Sequence, residues 1–150
     1  MLRDLTTAEC EAIIARERYA HLACIDGDEP YLVPITYVFE NGFFYGFTHK
    51  GAKTEALKRN PRMCIQVERV AAAREWESVI CWGMFEEVTD PAQVQRVKLL
   101  FADLHGKSVL AHEATPVSPL VKELGAHPSG KETVAYRMQP YRVTGRAEVR

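Results

Sequence analysis

Three strand-like runs joined by very short turns constrain the fold of this chain more than any other feature. The runs are YAHLACI, YLVPITYVF and FFYGFT, and they are separated by Asp26-Gly27-Asp28 and by Asn41-Gly42. An Asn-Gly pair favours a type I′ hairpin, because both central residues of that turn need a positive φ. Turns this short cannot hold a crossover helix, so the sequence predicts an antiparallel meander and disfavours a doubly wound parallel sheet.

Pro34 is an unusual residue for the middle of the second run, YLVPITYVF. Proline has no backbone N–H, so it cannot donate to a neighbouring strand in a sheet. We therefore expect the second strand to lie at a sheet edge, to carry a bulge, or to face a ligand at this point.

A helix is predicted in front of the three strands. Thr6 and Glu9 have the spacing of a capping box, and Leu5 and Cys10 have the spacing of the matching hydrophobic staple. These signals predict a helix over residues 7–18 that opens the domain.

A short helix and two longer strands are predicted after the third run. The helix ends at Lys58, before Asn60-Pro61, and RMCIQVERV is the fourth strand. The fifth strand is WESVICWGMFEEV, in which Gly83 allows a bend. Alternation along this strand places five side chains on one face: Trp76, Ser78, Ile80, Trp82 and Met84. The two tryptophans are expected in the core, in a subunit interface, or stacked on a flat ligand.

The last third of the sequence predicts one more helix and one more strand region. Asp90-Pro91 provide an N-cap and an N1 proline for a helix that ends at Gly106 and covers one side of the barrel. Residues 107–130 are predicted to be irregular and to form a lid or a dimer arm. The segment ETVAYRMQPYRVTGRAEV is predicted as a final strand or hairpin that breaks near Pro140.

Length and charge exclude several classes of protein. The 150 residues suit one domain, 1–150, and 19 Lys and Arg against 20 Asp and Glu give a net charge of −1. A chain so close to neutral has no global attraction for nucleic acid or for an anionic membrane, so neither is expected as a partner. The amino-terminal segment lacks the apolar core of a signal peptide, which predicts a cytoplasmic location.

Residues 49–62 form a basic segment in this nearly neutral chain. It carries five Lys or Arg residues against Glu55 alone, a local charge of +4. The five are Lys50, Lys53, Lys58, Arg59 and Arg62. A strand ending at Thr48 leads through this segment into a helix N-terminus, and free N–H groups and the helix dipole favour phosphate there. The alternative is a solvated helix face with no ligand.

No catalytic group or metal site stands out. GxSxG, HExxH, GxGxxG and Walker A motifs are absent, and the histidines lack metal-ligand spacing. His21 is expected in a barrel wall, and His49 is expected either beside a ligand or simply exposed. The four cysteines are expected to be buried, reduced thiols: Cys10, Cys24, Cys64 and Cys81.

The order of these pieces resembles the pyridoxamine 5′-phosphate oxidase-like superfamily of flavin-binding split barrels. The resemblance rests on the capped helix, HLACI, PYLVPITYVF, the Asn-Gly hairpin into FYGFTHKGAKTEALKRNPRMCIQVE, and WESVICWGMFEEVTDP. It covers about residues 5–104, and the branch it most resembles includes the nitroimidazole-resistance proteins. It implies a mainly β, α+β fold, namely an antiparallel FMN-binding split barrel with flanking helices.

The same resemblance implies a homodimer with a flavin at the subunit interface, usually FMN, with FAD as the other option. The flavin ring would be flanked by the backbone of Val33, Pro34, Ile35 and Thr36. The phosphate and ribityl region would correspond to Phe47, Thr48, His49, Lys50, Gly51 and Lys53, with Lys53 the first choice of phosphate cation. Trp76, Ser78 and Trp82 would approach the flavin from the same subunit or from its partner.

The implied activity is a flavin-dependent reduction of a small molecule by an external reductant. A true pyridoxamine phosphate oxidase is not expected, because the chain ends TGRAEVR where those enzymes carry an RLxP ending. Two alternatives remain: a flavin-binding storage or sensor module without turnover, and a haem-binding split barrel with His105 or His112 as ligand. An oligonucleotide-binding barrel is disfavoured by the net charge.

Overall fold

The computed structural model describes residues 1–105 and 133–149 of the chain. Within these ranges the chain forms three helices and ten strands. The helices are α1 (Thr7–Arg16), α2 (Ala52–Arg59) and α3 (Pro91–His105). The strands are β1 (Leu2–Asp4), β2 (Tyr19–Asp26), β3 (Glu29–Thr36), β4 (Val38–Glu40), β5 (Phe43–His49), β6 (Arg62–Ala72), β7 (Glu75–Met84), β8 (Glu86–Val88), β9 (Thr133–Met138) and β10 (Pro140–Glu148).

The strands form two sheets, and every strand pair among the described residues is antiparallel. The larger sheet has the order β1-β10-β7-β6-β2-β3, and the smaller sheet has the order β4-β5-β9-β8. The sheets enclose a core built from the inner faces of their strands and from α1. This architecture confirms the predicted antiparallel split barrel with flanking helices.

The chain crosses between the sheets at three single-residue breaks: Tyr37 between β3 and β4, Phe85 between β7 and β8, and Gln139 between β9 and β10. The sequence predicted one continuous strand at each of the first two places and a strand or hairpin at the third. The predicted continuity was wrong because the break residues form other hydrogen bonds. The Tyr37 N–H donates to the Arg18 carbonyl at 3.2 Å, and the Phe85 N–H donates to the Pro61 carbonyl at 2.7 Å.

The two short turns behave as predicted, but the meander does not stay in one sheet. Asn41 and Gly42 have φ values of 52° and 83°, as a type I′ turn requires, and they join β4 to β5. Gly27, with a φ of 70°, turns β2 into β3. Because β3 and β4 lie in different sheets, the second and third predicted strands pair only over residues 38–45.

Pro34 lies on β3, the last strand of the larger sheet. It is in register with His21 of β2 on one side, and no described strand pairs with β3 on the other side. The expectation of an edge strand is therefore confirmed.

Helix α1 closes one end of the barrel. The Thr6 side chain accepts a hydrogen bond from the Glu9 N–H at 3.2 Å, and the Glu9 carboxylate accepts one from the Thr6 N–H at 3.0 Å, which confirms the capping box. The helix ends at Arg16 rather than at the predicted Arg18, because Glu17 is already extended. Arg16 pairs there with Glu77 of β7 at 2.9 Å, which ties the end of α1 to the larger sheet.

Helix α3 packs on the outside of the smaller sheet. Asp90 caps it by accepting from the Gln93 N–H at 3.1 Å, as predicted. Its buried residues Val97 and Phe101 join a second apolar cluster with residues of β4, β5, β8 and β9. The predicted helix end at Gly106 and the predicted lid or dimer arm over 107–130 lie outside the described residues.

The cysteines are free thiols, and three of them are buried. Burial raises the pKa of the Cys81 thiol to about 12. Cys64 is only half-buried, so its predicted burial was wrong: it lies on the outer face of β6, in phase with Gln66 rather than with the buried Ile65. In the described part of the chain, no helix is both long and apolar enough to span a bilayer.

Candidate functional site

The two sheets separate at the junction between β3 and β4, because β4 pairs with β5 and β3 does not. β4 pairs with β5 in a register that places Val38 opposite Tyr45. If that register continued, Thr36 would lie opposite Phe47, but β3 pairs with β2 instead. The two strands therefore diverge at the junction between the sheets.

We call the space between residues 33–36 of β3 and residues 46–49 of β5 the split. Each segment has one backbone edge that no described strand pairs with. The side chains of Ile35 and Phe47 are buried in the two cores, and the Phe47 ring packs edge-on against Phe101 at 5.1 Å between centroids. Ile35 and Phe47 can therefore offer a ligand in the split their backbone N–H and C=O groups.

Thr36, the last residue of β3, carries an unusual hydroxyl. The residue is only 1% exposed, and its hydroxyl has no hydrogen-bond partner among the described residues. A buried hydroxyl of this kind is normally satisfied by water or by a bound molecule. Its position at the end of β3 coincides with the segment predicted to flank the flavin ring.

The N-terminus of α2 lies two residues beyond the end of β5. Gly51 is the N-cap, and its φ of 176° is ordinary extended backbone. The Thr54 hydroxyl accepts from the Gly51 N–H and donates to the Gly51 carbonyl, both at 2.8 Å. This arrangement fixes the start of α2, whose first-turn N–H groups have no acceptor within the helix. Lys50 and Lys53 stand on either side of this N-cap.

The basic segment is less concentrated than its composition suggests. At the far end of α2, Lys58 pairs with Glu87 and Arg59 pairs with Asp26, each at 3.6 Å. Lys50 and Lys53 lie at the opposite end of α2, beside its N-cap. Lys53 is close enough to the Cys24 thiol to oppose the rise in its pKa that burial causes.

The predicted residues on β7 do not join the split within one subunit. Trp76, Ser78 and Trp82 lie half-buried on the outer face of the larger sheet, so the tryptophans are not in the barrel core. β7 is separated from β3 by β6 and β2, a distance of about 14 Å at the usual spacing of strands.

Gln66 is a polar residue of this outer face that sequence reasoning missed. Its side-chain amide donates to the Ser78 hydroxyl at 3.0 Å and to the Glu68 carboxylate at 3.1 Å. It is in register with His21 of β2 and with Ile80 of β7, so it lies midway between β3 and β10. Alternation along RMCIQVERV places Gln66 opposite in phase to Ile65 and Val67, which was the available signal.

The histidines take different places. His21 is half-buried on the outer wall, as expected. His105 stacks on Phe101, and its Nε2–H donates to the Tyr37 carbonyl at 3.1 Å. One of the two ring nitrogens that could bind iron in the haem alternative is thus hydrogen-bonded to the protein. His112 lies outside the described residues.

The chain is similar to known proteins in sequence and in structure. The model of the pyridoxamine 5′-phosphate oxidase family matches residues 6–147. An uncharacterized protein of Rhizobium meliloti is 34% identical over 87 residues, which is 58% of this chain and 58% of that protein. The crystal structure of an FAD-binding protein from Mesorhizobium loti is 30% identical, covers 99% of both chains and has a TM-score of 0.74. A candidate 5-nitroimidazole antibiotic resistance protein from Bacteroides thetaiotaomicron shares the fold, with a TM-score of 0.72 at 20% identity over 98% of this chain and 87% of that one.

Proposed function

Because the chain belongs to the pyridoxamine 5′-phosphate oxidase family, we propose that it is a flavin-binding protein that holds FMN or FAD in the split. The observation that carries this proposal is the divergence of β3 from β5 beside the N-terminus of α2, with Lys50 and Lys53 next to its N-cap. The name of the Mesorhizobium loti protein, an FAD-binding protein, supports the choice of a flavin.

The residues present suit the two chemically distinct parts of a flavin. A planar ring with amide-like edges suits the backbone N–H and C=O groups of Val33, Ile35 and Thr36, and the buried hydroxyl of Thr36 is a further polar group on this segment. A phosphate suits the N-terminus of α2, where Lys50 and Lys53 add charge to the first-turn N–H groups. The flavin would supply hydride or electron transfer, and the protein would bind and orient it.

A second copy of the chain completes the proposed site. The outer face of the larger sheet carries exposed apolar side chains, among them Leu32, which is 66% exposed, and also Tyr19 and Met84. Exposed apolar side chains on the face of a sheet suit a protein interface. In a homodimer packed through this face, Trp76, Ser78 and Trp82 of one subunit would reach the split of the other.

The proposed activity is reduction of a small molecule by an external reductant through the bound flavin. The competing proposal is a flavin-binding module without turnover. Oxidation of NADH and NADPH with quinone, free flavin and nitroaromatic acceptors separates the two. Turnover well above the rate of free flavin supports the reductase, and flavin-loaded protein that is inactive across the panel supports the module.

The first test is the cofactor itself. We expect purified protein to be yellow, or to become yellow on reconstitution, and the cofactor released by heat to run chromatographically as FMN or FAD. A colourless protein that takes up neither flavin would overturn the proposal.

The second test is Lys53→Ala, with Lys98→Ala as the control. Loss of one charge-assisted contact to phosphate costs about 1.5–3 kcal/mol, so we expect the Kd for flavin to rise about 10- to 150-fold. Lys98 is an exposed residue of α3, and the same change of charge there should leave the Kd unchanged. Equal Kd values for both variants would move the phosphate site away from α2.

A further inference from the structure

A pocket lies between α1, β4 and α3, where the two apolar clusters of the protein meet. It has a volume of about 290 Å³. Its buried lining residues are Ile14 and Tyr37, from the first cluster, and Val38, from the second. None of its lining residues belongs to the split, to the start of α2 or to the outer-face residues proposed to meet a second subunit. The pocket is therefore a separate feature and leaves both of those proposals unaffected.

The walls of the pocket are largely apolar. Phe39, Leu100 and Leu104 line it, and each is partly buried against one of the two clusters. The Phe39 ring packs on the Phe44 ring at 4.8 Å between centroids. Leu100 and Leu104 are four residues apart on α3, so they lie on the same face of that helix. These side chains favour an apolar molecule against them.

The charged side chains of the pocket are all acidic. They are Glu17, Glu40 and Asp103, and no Lys, Arg or His lines the pocket among the residues that the structure describes. Glu17 pairs with Arg16 at 2.9 Å. Glu40 pairs with Arg96 at 3.0 Å. Asp103 has no ion pair within the described residues, so its charge is the one left for a ligand.

The carboxyl end of α1 adds to this negative charge. Its last residue is Arg16, and both Ala15 and the C-cap Glu17 line the pocket. The carbonyl groups in the last turn of a helix carry a partial negative charge, which favours a cation nearby. A cation in the pocket would therefore be attracted by two independent groups, the end of α1 and the carboxylate of Asp103.

We infer that this pocket binds a small organic cation, a protonated amine attached to an apolar ring system. Its volume is just below the roughly 300 Å³ at which pockets for drug-sized ligands begin, so it suits one or two rings. The rings would lie against Phe39, Leu100 and Leu104. The ammonium group would meet Asp103, because an ammonium has only N–H donors and a carboxylate has only acceptors. The ligand class follows from these walls and does not rest on the bound flavin.

The test is calorimetric titration of the purified full chain with 2-(aminomethyl)naphthalene, a cation at neutral pH, and with its neutral analogue 2-naphthalenemethanol. We expect the amine to bind about fivefold or more tightly than the alcohol. Asp103→Asn removes one exposed ion pair with the ligand, so it should raise the Kd for the amine about three- to fivefold and leave that for the alcohol unchanged. Asp28→Asn is the matched control, because it makes the same change at an exposed residue of the turn between β2 and β3 and should change neither.

A second variant tests the location of the binding site. Ala15 is an exposed residue of α1 that lines the pocket, so Ala15→Leu fills the pocket with a residue that suits a helix. It should weaken the binding of the amine and of the alcohol alike, and urea unfolding checks that the fold is kept.

Four results would overturn the inference. Equal affinity for the amine and the alcohol would mean that no carboxylate is used, and equal losses in the Asp103 and Asp28 variants would mean that only net charge matters. Unchanged binding in Ala15→Leu would place the ligand elsewhere, and the absence of any binding would leave the pocket without this ligand. A flavin titration of the same preparation tests the proposed function separately, so the two proposals can fail independently.

Discussion

Two fully buried tyrosines should respond in opposite directions to the same substitution. The Tyr37 hydroxyl donates to the Ile14 carbonyl at 2.7 Å, which joins the break between β3 and β4 to α1. The Tyr136 hydroxyl has no hydrogen-bond partner among the described residues and occupies the space where Gly46 lacks a Cβ. Burial raises the pKa of both phenols, so both are neutral.

The expected magnitudes follow from these hydrogen bonds. Tyr136→Phe removes a buried polar group that costs about 1–3 kcal/mol when unsatisfied, so we expect it to stabilise the protein by about 1–2 kcal/mol after small losses of packing. Tyr37→Phe removes an existing hydrogen bond and leaves the buried Ile14 carbonyl without that donor, so we expect it to destabilise the protein by about 1–3 kcal/mol.

Denaturant unfolding of the flavin-free protein measures both values, and the urea m-value should stay constant between variants. In thermal unfolding, each 1 kcal/mol corresponds to about 2–4 °C for a chain of this length. If Tyr136→Phe destabilised the protein as much as Tyr37→Phe, the Tyr136 hydroxyl would have to be hydrogen-bonded, and the argument would be refuted.

Two further predictions concern close packing and pH. Gly83→Ala would place a Cβ 2.3 Å from the Met138 sulfur, so we expect a loss of about 1–3 kcal/mol in urea unfolding, and unchanged stability would show that Met138 can move aside at no cost. Burial, together with the nearby charge of Arg18, lowers the pKa of His105, so the unfolded chain binds the extra proton first as the pH falls. Stability should therefore be full above about pH 6.5 and should decline below it, and this slope should shrink in His105→Gln; an unchanged slope would show that other groups cause the decline.

The sequence predicted those parts of the fold that depend only on residues close together in the chain. The capping box at Thr6 and Glu9 depends on four consecutive residues, and the turn at Asn41-Gly42 depends on two residues that tolerate positive φ. The edge position of Pro34 follows from its missing N–H alone. Each of these features could be predicted because no distant residue is needed to form it.

The break near Pro140 was predicted, but the other two breaks between the sheets could not be predicted in this way. Tyr37 and Phe85 lie within runs whose apolar content suits a continuous strand. Strand pairing ends at each of them because its backbone N–H donates to a distant carbonyl, that of Arg18 for Tyr37 and that of Pro61 for Phe85. Gly83 was predicted to allow a bend, and its missing Cβ also leaves room for the Met138 side chain, which the sequence did not reveal. Pairing across such distances in sequence depends on the assembled barrel rather than on local preference.

The same distinction separates the loop beside the split from the outer face of the larger sheet. The loop from Thr48 to α2 is contiguous in sequence, so its cations and helix N-terminus could be recognised together. The outer face joins residues of β2, β3, β6, β7 and β10, and no window of sequence contains them. Trp82 was recognised as an aromatic of the outer face, but Arg62 was counted with the basic segment and Arg142 was not considered. Only the row Cys64, Trp82 and Arg142 shows that a cation and an aromatic ring share one face. Neighbouring strands of an antiparallel sheet therefore create binding surfaces whose chemistry appears only once the register is known.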